Sequence, residues 1–132
     1  MRLDTQMLEK SPSVQREAQA LVDEWARTFN TGRVADLARF YAPDARIVPP
    51  GRSTLVGAEA ICAFFADIRA QGFRDYAVNL GDVFARDTSL VASGRWTLRG
   101  VGGDGPQLYH GNWLKVLAQG PTGRLIAAHM WN

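Results

Sequence analysis

After Gly72 the hydrophobic repeat of this 132-residue chain changes from about 3.6 residues to two, and it keeps the shorter period to the end of the sequence. Few architectures accept that order. Amphipathic helices come first and an antiparallel meander follows, which predicts the α+β class, with three helices packed on one face of a curved sheet.

The helical half has clear punctuation. Ser11-Pro12 predicts a helix start, because a Ser cap accepts an orphan amide and Pro at the first position has none to satisfy. Val14, Ala18, Leu21, Val22, Trp25 and Phe29 then form one apolar stripe, and Asn30-Thr31-Gly32 ends it. Val34, Leu37, Ala38 and Tyr41 predict a short second helix stopped before Pro43. The run 45–48 reads as an edge segment because Pro49-Pro50-Gly51 follows it, and Thr54-Leu55-Val56 as another short extended piece. Ile61, Phe64, Phe65 and Ile68 predict a third helix ending at Gly72. Residues 1–10 are expected to be a loose arm and 11–132 a single domain.

In the strand half, Tyr76, Val78, Leu80 and Phe84 are expected on one face, with Asp82 as the acid among them, before a turn at 86–88. Leu90, Ala92, Gly94, Trp96 and Leu98 form one face of the next strand, opposite Val91, Ser93, Arg95 and Thr97. The glycine-rich stretch 100–106 reads as a flexible loop. It does not suit phosphate, since a strand follows it where a phosphate loop needs a helix. The last two strands make a hairpin about Gln119–Gly123. If Leu114 and Val116 point inward, then Leu108, His110 and Asn112 do too, and Tyr109, Trp113, Lys115 and Leu117 take the other face. A sheet bent over helices this way encloses a cone-shaped pocket. Its second face, carrying Val91, Trp113 and Leu117, is too apolar for water and suggests a homodimer.

Composition narrows the function. Hydrophobic residues are 46% and charged residues 21%, an ordinary globular mixture. No apolar run approaches the roughly 20 residues that cross a bilayer, and MRLDTQMLEK lacks the apolar centre of a signal peptide, so a cytoplasmic protein without membrane partners is expected. The net charge of +2 comes from scattered arginines without runs or interleaved aromatics, which does not suit nucleic acid. Cys62, the single cysteine, fits core packing.

His110 and Asn112 are the candidate catalytic pair. A neutral imidazole exchanges protons near pH 7, and an Asn amide donates to a developing oxyanion. Trp25, Tyr41, Phe64, Trp96 and Trp131 are candidates for an aromatic pocket wall, joined by His129, whose facing depends on strand register. Two histidines without a placed carboxylate make a poor metal site, and no metal or cofactor is expected. Asp44 is read as a turn residue and Glu59 as a helix-dipole partner. Two readings stay open: acid/base isomerisation, cyclisation or elimination on a planar apolar molecule, or a dimeric ligand-binding or scaffold domain without turnover. On the first, His110→Ala and Asn112→Ala are expected to weaken ligand binding.

Longer blocks carry a family resemblance. These are W-x-x-x-F-N-x-G-R (Trp25 to Arg33), F-Y-A-P-D-A-R-I-V-P-P-G at 40–51, V-G-A-E-A-I-x-x-F-F at 56–65, and the closing G-R-L-I-A-A-H-M-W-N. From residue 11 onward the chain resembles the nuclear transport factor 2-like superfamily, with its ketosteroid isomerases and SnoaL-like polyketide cyclases. The resemblance implies a conical α+β barrel of the cystatin-like kind, a deep pocket between helices and sheet, and a homodimer. It does not carry the isomerase chemistry with it. Where that family has its catalytic carboxylate, helix-1 Tyr and late-strand acid, this chain has Pro49, Trp25 and Asn112.

Overall fold

The computed structural model describes residues 12–132; the expected arm at 1–10 and the Ser11 cap lie outside the described residues. Helix α1 spans Pro12–Asn30 and buries Ala18, Leu21, Val22, Trp25 and Phe29. At its end Gly32 takes φ +80°, the left-handed conformation glycine adopts without penalty, and its N–H donates to Phe29 O at 3.0 Å. Asn30 ties this end to the sheet. Its Nδ2 donates to Tyr76 O at 2.8 Å, and its Oδ1 accepts the Tyr76 N–H at 2.7 Å.

The second helix is a 3-10 helix, Val34–Phe40. Its apolar residues explain the tighter turn, since Val34, Leu37 and Phe40 recur every three positions and superpose on a three-residue turn. Tyr41 consequently opens a strand. Strand β1 (Tyr41–Val48) runs parallel to the last strand, while the two-residue β2 (Leu55–Val56) covers its other side. The edge position expected from the prolines is therefore corrected: Pro43 sits where the β1 register is interrupted, and the Pro49-Pro50 pair follows the strand. Helix α2 (Ala58–Ala70) turns Ile61 and Phe65 into the core.

Strands β3 (Arg74–Arg86), β4 (Ser89–Gly102), β5 (Gly105–Gln119) and β6 (Arg124–Trp131) complete an open, curved six-stranded sheet in the order β2-β1-β6-β5-β4-β3. The stretch expected as a flexible loop is instead the tip of a long hairpin, with Gly105 at φ +113° beside the turn. In β3 the register slips between Leu80 and Asp82, and the extra residue reverses the facing of the remainder of the strand. Asp82 and Phe84 pair with Ser93 and Val91 on the outer face, which corrects the inward placement expected for both.

The larger correction concerns β5. Trp113, Lys115 and Leu117 are buried, while His110, Asn112 and Leu114 are exposed, so the two faces are the reverse of those expected. Cross-strand partners give the reason. Gly94 faces Trp113 and Gly111 faces Trp96, and each glycine leaves room for the opposite indole to lie across its strand. The Trp113 Nε1–H donates to Asn79 O at 3.1 Å and the Trp96 Nε1–H to Asn112 O at 3.3 Å. A Cβ on Gly94 would overlap that same Asn79 carbonyl and crowd the Trp113 indole. Gly94→Ala is thus expected to cost about 1–3 kcal/mol, read as a lower urea midpoint at unchanged slope.

Candidate functional site

Curvature of the sheet away from α1 and α2 leaves a cavity of about 220 Å³. Trp25 and Phe29 of α1 form one wall; Phe64, Phe65 and Ile68 of α2 form a second. The sheet contributes Tyr76, Trp96, Leu98, Trp113, His129 and Trp131, and the β1–β2 connection adds Pro49, Pro50 and Arg52. The rings brace one another. Trp25 meets Phe65 edge-on at 5.0 Å and Tyr76 at 5.2 Å between centroids, and Phe65 stacks on Trp131 at 5.9 Å. Flat walls held this way suit a flat apolar guest.

One end is polar. The Trp25 Nε1–H donates to the Tyr41 hydroxyl at 3.0 Å, and that hydroxyl lies 3.3 Å from His129 Nδ1. The indole can only donate, so the tyrosine proton is free for the imidazole, and a neutral His129 then carries its hydrogen on Nε2. Burial, reinforced by the nearby Lys115 amine, holds His129 well below the ordinary histidine range. Burial pushes the Tyr41 hydroxyl far up, so both groups are neutral at pH 7.

Lys115 lies beside His129 across the β5–β6 ladder and is 1% exposed. Its Nζ sits 5.1 Å from the ring centroids of both Trp25 and Trp113, two residues of the cavity wall. Desolvation lowers its pKa to about 7. Among the described residues no carboxylate lines the cavity and none pairs with Lys115.

Of the residues singled out in the sequence, Trp25, Phe64, Trp96, His129 and Trp131 lie together on the cavity, and Tyr41 stands behind them through its hydrogen bonds. His110 and Asn112 do not join them. His110 lies on the outer face near Thr97 and Leu108, and Asn112 serves the sheet there: its main-chain N–H donates to Asn132 Oδ1 at 3.0 Å. The inward facing expected of both is corrected by the β5 orientation. Sequence reasoning passed over Lys115, Tyr76 and Phe65. The signal for Lys115 was present as a lone cation inside Trp113-Leu-Lys-Val-Leu117, where period two makes it share a face with Trp113 and Leu117. Among the described residues no three His, Cys, Asp or Glu side chains cluster as metal ligands, and no helix is long and apolar enough to cross a membrane.

A SnoaL-like domain profile matches residues 22–129. Among proteins of curated function, none matches the chain. Similar solved structures include a Catenulispora acidiphila protein in complex with S-DNPA, at 18% identity and TM-score 0.74, covering 90% of this chain and 92% of that one. Aln2 from a Streptomyces species matches at 16% identity and TM-score 0.77, covering 94% and 93%. An NTF2-like protein with a cystatin-like fold from Novosphingobium aromaticivorans matches at 15% identity and TM-score 0.72, covering 90% and 80%. At these identities the likeness is one of fold.

Proposed function

We propose, for a chain that belongs to the SnoaL-like domain family, that the cavity binds a small planar apolar molecule and that Tyr41 and His129 move a proton at its polar end. The reaction class is isomerisation, cyclisation or elimination without metal or cofactor. One observation carries the reading: a ring-walled hollow, with Arg52 in its wall, backed by a buried Trp25–Tyr41–His129 hydrogen-bonded chain. Neutral groups of this kind exchange protons with a bound enol or ketone without charging a dry site. A structural neighbour was captured in complex with S-DNPA, which accords with a ligand-holding fold. Ligand binding without turnover is the second reading, favoured by a cavity wall that has no carboxylate among the described residues.

Titration with 2-naphthol is expected to quench tryptophan emission, since Trp25, Trp96, Trp113 and Trp131 all border the cavity. Trp131→Ala should weaken binding about tenfold, roughly 1.4 kcal/mol. His110→Ala, on the outer face, should leave it unchanged. No quenching with the wild-type chain would contradict the reading.

The chain is further proposed to work in the cytoplasm as a homodimer joined through the outer sheet face. Trp113 and Leu117 are buried within the fold and cannot contribute, but Leu114 and Met130 are cross-strand partners there, 37% and 47% exposed. Val91 and Val116 extend that patch. Leu114→Lys is expected to halve the mass measured by light scattering; an unchanged mass would place any interface elsewhere.

A further inference from the structure

The acid/base reading leaves Lys115 unused. An amine with three hydrogen-bonding positions is costly to bury, and such groups are normally paired with a carboxylate or with carbonyls. No hydrogen bond or ion pair reaches Lys115 Nζ among the described residues, yet no fully enclosed side-chain nitrogen or oxygen there lacks a partner. Lys115 is 1% exposed and is not itself part of the cavity wall, so its amine meets the cavity only past the indoles that flank it. The rings of Trp25 and Trp113 stand on two sides of it, and both rings line the cavity.

Resting on the proposal that the cavity holds a planar guest, we infer that Lys115 is an amine nucleophile that captures a planar aromatic aldehyde or ketone as an imine. The nitrogen lone pair attacks the carbonyl carbon to give a carbinolamine. The carbonyl oxygen and the two amine hydrogens then leave as water, and a C=N bond remains; nothing is oxidised or reduced. Burial keeps a large share of the amine uncharged at neutral pH, as the attack requires. The two indole faces also tolerate the protonated iminium, through the same attraction that positions the ammonium. His129, the cross-strand partner of Lys115, with the Tyr41 hydroxyl hydrogen-bonded to its Nδ1, would pass a proton to the departing hydroxyl.

Two lysines make the test simple: apart from the N-terminus, Lys10 and Lys115 are the chain's only amines. The folded protein is incubated with 2-naphthaldehyde and cyanoborohydride, which fixes an imine as a secondary amine, and the modified peptide is identified by mass spectrometry. Labelling is expected at Lys115 at pH 7, at least tenfold faster than at Lys10, and it should be lost in Lys115→Met and suppressed by competing 2-naphthol. Label confined to Lys10 and the N-terminus would overturn the inference. So would Lys115 labelling that appears only after unfolding, or tighter binding of 2-naphthoate than of the aldehyde, which would make Lys115 an anion partner. If 2-naphthol quenches tryptophan emission and no Lys115 adduct forms, the amine chemistry fails while the binding reading stands. If neither occurs, both fail.

Discussion

Replacing Lys115 by Met is expected to stabilise the protein at neutral pH, on the order of 4 kcal/mol, although it removes a charged residue from a fold of modest size. The folded pKa of about 7 lies below the ordinary lysine value of 10.5. Between those limits the unfolded chain holds a proton that the folded chain lacks. Stability therefore rises with pH, at up to about 1.4 kcal/mol per unit. The deficit is fully present below pH 7 and gone above pH 10.5. Met, unbranched and of similar length, fills the space between the indoles without that deficit. The gain in Lys115→Met should accordingly fade as the pH approaches 10.5, measured as the difference in urea midpoints across pH. His129 acts in the same sense at lower pH, since its depressed pKa makes acid unfold the protein early. A destabilised Met variant at pH 7 would mean that the amine is charged and satisfied in the fold.

Trp25→Ala should produce the largest loss of stability from a single truncation, about 3–5 kcal/mol. The side chain is 2% exposed and braces Phe29, Phe65 and Tyr76 at once. Its removal also takes the N–H that the Tyr41 hydroxyl accepts, leaving a buried oxygen short of a partner. Trp25→Phe separates the two contributions: the ring returns while the donor does not, and the cost should fall to about 1–3 kcal/mol. Urea unfolding checks both. A loss below about 1 kcal/mol for Trp25→Ala would mean that this wall is not the centre of the core.

How far the sequence revealed this depends on which kind of signal each residue carried. Helix α1 and helix α2 were legible because their apolar stripes repeat at helical spacing and end on glycines with φ of +80° and +98°. The change of period after Gly72 gave the meander, and with it the class. Strand facing was harder, because β5 alternates between two faces that are both largely apolar. Leu114 and Val116 compete there with Trp113 and Leu117, so the pattern alone does not choose. What decides is the cross-strand neighbour. Gly94 opposite Trp113 and Gly111 opposite Trp96 require the indoles to point inward, and that pairing is a property of the assembled sheet. The same reversal moved His110 and Asn112 outside and brought Lys115 in. His129 owes its place to β6 pairing with both β5 and, in parallel, β1, a long-range contact with no local trace. The extra residue at Gly81 likewise turned Asp82 outward.

A crystal structure of the complex with 2-naphthol tests the central claim most directly, because it locates ligand, Lys115 and His110 in one experiment. The expected result is ring density between Trp25, Phe65 and Trp131, with the Lys115 amine and His129 on the same side of the sheet as the ligand. Density against the outer face beside His110, with the inner hollow closed by repacked side chains, would contradict the account.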